Sequence, residues 1–110
     1  MEIFKRELVM LETADGKVPF EEWFNSDKVR NFQSAIHARL TRIEDGNFGD
    51  HKTVGKGVFE IRIPRGPGLR VYYGLDGHRI VVLIGGGNKS TQRSDIVKAH
   101  KLFKEYLDAK

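Results

Sequence analysis

Cysteine is absent from all 110 residues. That excludes a disulfide framework, thiolate nucleophiles and thiolate-bound metals. No apolar run approaches the ~20 residues of a membrane-spanning helix. The opening Met-Glu-Ile-Phe-Lys lacks the apolar segment of a signal peptide, so the expectation is a cytoplasmic protein without a membrane partner. Internal repeats, low-complexity tracts and linkers are missing too. The length then suits one domain, residues 1–110, with a single modest core. Acidic residues are the minority charge: 15 Asp and Glu stand against 19 Lys and Arg, giving a formal net charge of +4 and a pI near 9.5. This balance favours an anionic partner without identifying it.

What is present is clearest in the middle of the chain. Gly57 to Ile63 and Leu69 to Gly74 alternate apolar and polar residues around the turn Pro64-Arg-Gly-Pro-Gly68, a strong hairpin signal. Pairing Ile63 with Leu69 sets Ile61 against Val71 and Phe59 against Tyr73 on one face. On the other face Arg62 meets Arg70 and Glu60 meets Tyr72. Like charges directly opposite one another destabilise a sheet. Keeping them there points to a phosphate-binding surface.

The flanking segments complete the expected architecture. Residues 2–11 have strand character, Asp15-Gly16 is a turn, and Pro19 opens a short helix through Phe24. Val29, Phe32, Ile36, Leu40 and Ile43 recur at helical spacing from Asp27 to about Asp45, with Ser26 or Asp27 as N-cap. The last segment repeats the pattern with Ile96, Ala99, Phe103 and Leu107, capped by Ser90 or Thr91. Asp76-Gly77 reads as a tight turn that pairs Tyr73 with Ile80, Val71 with Val82 and Leu69 with Ile84. Val81 and Leu83 then fall on the arginine face, which is expected to form an open, basic, partly apolar concavity. Because Ile80 to Ile84 is apolar on both sides, this strand is expected to be central and partly covered.

The strings Gly55-Lys-Gly-Val-Phe-Glu-Ile-Arg-Ile63, Gly66-Pro-Gly-Leu-Arg-Val-Tyr-Tyr73 and Gly85-Gly-Gly-Asn-Lys-Ser-Thr-Gln-Arg-Ser-Asp-Ile96, preceded by Asn47-Phe48-Gly49-Asp50, resemble the addiction-module killer proteins of the RelE/HigB toxin superfamily. The resemblance covers nearly the whole chain. It implies a small α+β, RelE-like fold: an N-terminal strand and two helices packed on an antiparallel sheet, then a C-terminal helix. It also implies a toxin that cuts messenger RNA on the ribosome and is silenced by a cognate helix-turn-helix antitoxin. The implied chemistry is attack of an RNA 2′-hydroxyl on the adjacent 3′-phosphate, with fixed positive donors stabilising the added charge. No metal or other cofactor is then required.

Within this resemblance Arg62 and Arg70 are the expected grips on the scissile phosphate, joined by Lys89 and Tyr72 as the catalytic set. A salt bridge to Glu60 is expected to occupy one arginine and leave the other unpaired, so removing either is expected to spare the fold. Lys52, Lys56, Glu60 and Gln92 complete the RNA-binding set, with Glu60 also an orienting partner for an arginine. Gly85-Gly86-Gly87 either lets a ligand approach the backbone or ends a strand in a turn. His37, His78 and His100 have no second ligand nearby, so no metal site is expected. One departure stands out: where ribosome-dependent members carry an acid/base residue near the C-terminus, this chain has Gln92, Asp95 and the distant Tyr106. The superfamily also includes DNA gyrase poisons of the ParE type, and a third option is a non-catalytic module that only binds its antitoxin.

Overall fold

The computed structural model describes residues 5–110. Residues 2–4 of the expected first strand lie outside them. The elements run β1 (Glu7–Met10), α1 (Pro19–Phe24), a 3-10 turn (Arg30–Phe32), α2 (Gln33–Glu44), β2 (His51–Gly55), β3 (Val58–Ile63), β4 (Leu69–Asp76), β5 (Ile80–Gly87), a second 3-10 turn (Lys89–Thr91) and α3 (Gln92–Asp108). Five strands form one sheet in the order β1-β5-β4-β3-β2. The expected α+β class is what the chain adopts. The sheet is mixed rather than purely antiparallel, because β1 pairs with β5 in parallel.

Both faces of the sheet are covered. On one, Ile61, Ile63, Leu69, Val71, Tyr73, Val81 and Leu83 pack against Phe20 of α1, Val29, and Ile36, Leu40 and Ile43 of α2. On the other, Val58, Tyr72, Val82 and Ile84 pack against Leu11 and against Ala99 and Phe103 of α3. The β3–β4 register is the expected one, including Arg62 opposite Arg70 and Glu60 opposite Tyr72. The β4–β5 register is not: Asp76 pairs with Ile80, Tyr73 with Leu83 and Arg70 with Gly87, with a bulge at Tyr72/Tyr73. This exchanges the faces of β5. Val81 and Leu83 join the α2 side, and Val82 and Ile84 lie under α3.

Three further expectations change. α2 begins at Gln33 rather than Asp27, and neither Ser26 nor Asp27 caps it; Val29 is buried from the turn that precedes it. Thr91 stands at the expected N-cap position of α3, but its side chain caps no backbone N–H there; the capping box lies one turn earlier, where the Asn88 side chain accepts from the backbone N–H groups of Ser90 and Thr91 while the Thr91 hydroxyl accepts from the Asn88 N–H. This reciprocal box orders the second 3-10 turn and carries the chain into α3. Leu107, expected on the buried side of α3, is exposed.

Candidate basic site around Glu60

The α3 packing decides what becomes of the expected concavity. α3 lies over the arginine face, so Tyr72 is 1 % exposed, Glu60 0 % and Arg70 8 %. The expected open surface is closed at these positions. A fully buried carboxylate is costly unless charged or hydrogen-bonding partners surround it. Glu60 has them. Arg70 Nε lies 3.6 Å from its Oε2, Lys52 Nζ lies 4.0 Å from Oε1, and the Gln92 amide donates to Oε2 at 2.8 Å. Five of the eight expected site residues, Lys52, Glu60, Arg70, Tyr72 and Gln92, therefore gather at one point. Cross-strand pairing brings Lys52 and Tyr72 to Glu60, and the first turn of α3 adds Gln92.

The hub is not fully hydrogen-bonded. Glu60 Oε1, Arg70 Nε and the Tyr72 hydroxyl are buried without a hydrogen-bond partner. At 3.6 Å the Arg70–Glu60 contact is an ion pair too long to be a hydrogen bond. Arg70 is steered instead by Nη1, which donates to the Gly68 carbonyl at 2.7 Å. Burial, followed by the charge of Glu60, raises the pKa of the Tyr72 hydroxyl well above the ordinary tyrosine value, so it stays a proton donor.

Arg62 and Lys89 sit at the exposed rim of this hub. Arg62 faces Asp50 at 3.3 Å, with both side chains about half exposed. Both arginines thus have acidic partners, Arg70 in Glu60 and Arg62 in Asp50, which corrects the expectation of one left unpaired. Lys89 reaches the same end of the sheet through the β3–β4 turn: its N–H donates to the Pro67 carbonyl, and a Cβ on Gly68 would lie 3.4 Å from Lys89 Cβ and 3.2 Å from Arg70 Nη1. Gly68, at φ +78°, keeps that approach open. Lys89 is exposed and forms no ion pair with a described residue. Lys56 lies apart, in the turn at the opposite end of β3.

No family model matches the chain. A Haemophilus influenzae protein carrying only the name "Uncharacterized protein" is 43% identical over 86 residues, covering 78% of this chain and 87% of that protein. The chain belongs to that protein's family. The relative's name assigns no activity, so the chemistry rests on the geometry of the site.

Two residues outside the expected set shape it. Asp50 neutralises the outer arginine, and Asp95 accepts a hydrogen bond from Thr91 beside Gly87. Asp95 is tied to Gly87: a Cβ there would collide with the Asp95 carboxylate, which would have to shift. Gly86 does the same for Trp23, whose ring occupies the space a Cβ would take. The glycine run is neither a terminal turn nor an open ligand cradle along its whole length. It is the last part of β5, stripped of side chains so that α1 and α3 can close on it. His51 turns away from the hub, contacting the Gly49 carbonyl at 2.9 Å and the Phe48 ring. Tyr106 donates to Asp76. That contact lies at the opposite end of β4 from Arg70.

Proposed function

We propose that the protein is the toxin of a type II toxin-antitoxin module, an endoribonuclease that cleaves messenger RNA on the ribosome and is held inactive by a helix-turn-helix antitoxin. The observation that carries this reading is the convergence of Arg62, Arg70, Lys52 and Lys89 at one end of the sheet. There a phosphate can meet three exposed cations, Arg62, Lys52 and Lys89, backed by buried Arg70 beside Glu60. In the proposed reaction the RNA 2′-hydroxyl attacks the adjacent phosphorus and the 5′-oxygen leaves. The guanidinium and ammonium groups stabilise the extra negative charge on the phosphorane, a contribution worth about 10²- to 10³-fold per donor. The N-terminal end of α3 adds its dipole at the same place. Arg70, mostly buried, acts here by fixing Glu60 and the turn at Gly68. Arg62, Lys89 and Lys52 are the groups available to touch RNA.

The test is a reconstituted translation reaction in which new RNA 5′ ends are mapped for wild type, Arg62→Ala and Lys89→Ala. Breaks confined to translated codons, and lost in both variants at unchanged melting temperature, support the nuclease. Intact RNA with normal translation would sink it. The burial of Tyr72 and Arg70 favours one second reading, a non-catalytic module whose basic rim binds an acidic antitoxin segment. That reading takes over if the partner-free protein neither cuts RNA nor binds ribosomes.

A further inference from the structure

Beside the Glu60 hub, α1 and α3 leave a cleft of about 350 Å³ over β5. Its floor is the open backbone of Gly85, its walls include Trp23, which sits over Gly86, with Ile84 and Leu102, and Tyr72, the cross-strand partner of Glu60, also lines it. Lys28 and Lys98 stand exposed at its edge without ion pairs to described residues, together with Glu22 and Asp95. A second hollow of about 370 Å³ continues from it past Trp23 and Lys28 toward Gly87 and Pro67, whose carbonyl accepts from the Lys89 N–H.

We propose that this cleft is a nucleobase-binding subsite, taking one base against the Trp23 indole with the flanking phosphate directed to Lys28 and Lys98. The proposal rests on the RNA reading for the strand to which the base belongs, and on three features of the cleft for its chemistry. The space is of the size that encloses a planar heterocycle and part of its sugar. The aromatic wall suits stacking, which accepts any base. The third feature is charge: Lys28 and Lys98 stand exposed on the lining and form no ion pair with a described residue. An uncharged ligand would make no use of them, whereas a nucleotide supplies a phosphate. Tyr72 both lines the cleft and pairs with Glu60 across the strands, so a base held here borders the Glu60 hub.

Trp23 is the only tryptophan in the chain, so its fluorescence reads occupancy of the cleft directly. Adenosine 5′-monophosphate is the probe, with adenosine and ribose 5-phosphate as controls. A Cβ on Gly85 would meet nothing within 4 Å, so Gly85→Val fills the cleft without a backbone clash. The expected result is saturable quenching by the nucleotide, weaker binding of adenosine, none of ribose 5-phosphate, and loss of binding in Gly85→Val. Absence of saturable quenching overturns the proposal. So does undiminished binding by a folded Gly85→Val protein, or ribose 5-phosphate binding as well as the nucleotide. RNA cleavage without nucleotide quenching would remove this subsite and leave the nuclease standing; quenching without cleavage would do the reverse.

Discussion

Replacing Arg70 by Ala should unfold this protein far more readily than replacing Arg62, although the two residues face each other across one hairpin. Arg70 lies 3.6 Å from a carboxylate that is fully buried. At an effective dielectric near 20 that attraction is about 4 to 5 kcal/mol before desolvation. Removing the guanidinium strands the Glu60 charge with Lys52 at 4.0 Å and one amide donor from Gln92. Those remaining partners offset part of the loss, leaving a net cost of roughly 3 kcal/mol, at the low end for breaking a buried pair. At about 4 °C per kcal/mol for a domain of this size, the melting temperature should fall by ~12 °C. Arg62 and Asp50 are 45 % and 59 % exposed, and water screens them. Their pair is worth about 0 to 1 kcal/mol, and relief of the repulsion between the arginines works against even that, so Arg62→Ala should melt within roughly 2 °C of wild type. Circular-dichroism melts of both variants and of Glu60→Met/Arg70→Met make the comparison. The double substitution removes both charges and should recover most of the loss. Equal melting of the two single variants, or a double variant no more stable than Arg70→Ala, would refute the view that Glu60 and Arg70 depend on each other.

Three further outcomes are expected. Gly86→Ala puts a methyl group into the Trp23 ring and should cost about 1 to 3 kcal/mol in a chemical denaturation series, with a red shift in Trp23 emission as the indole is displaced. Asn88→Ala removes the capping box ahead of α3 and should cost ~1 kcal/mol, with hydrogen exchange accelerated first in the turn at Lys89–Thr91. Burial raises the Tyr73 pKa from 10.0 to about 12. The folded state therefore holds this proton more tightly, so the Tyr73 contribution is complete below pH 10 and is lost as pH rises toward 12; a Tyr73→Phe protein should resist alkaline unfolding better than wild type in a pH-jump melt.

The β3–β4 hairpin was legible because its residues alternate and its turn is rich in glycine and proline; together these fix which side chain faces which. The partnership of Glu60 with Tyr72 followed at once. β5 offered no such guide. Its residues from Ile80 to Ile84 are apolar on both sides, so a shift in register costs the pattern nothing, and the bulge at Tyr72/Tyr73 leaves no mark in composition. β2 escaped notice for the opposite reason. It is an edge strand of His, Lys, Thr, Val and Gly in which only Val54 is even partly buried. At the site, residue types and cross-strand neighbours were readable, but exposure was not. Arg62 and Arg70 have the same chemistry and lie opposite one another. Only the placement of α3 makes one a surface group and the other nearly a core group.

The position of β1 bears on how the chain reaches this structure. Glu7 pairs with Ile80 and Met10 with Leu83, so the first strand among the described residues closes against the last of them. Pairings this distant along the chain slow folding, because loop closure must precede the reward. An unfinished chain that stops before β5 has nowhere to dock β1. It also lacks Gln92 and Lys89, so Glu60 is left short of a donor and the basic rim is incomplete. Assembly of the Glu60 hub therefore waits until the chain has passed Gln92, long after its first charged members have emerged.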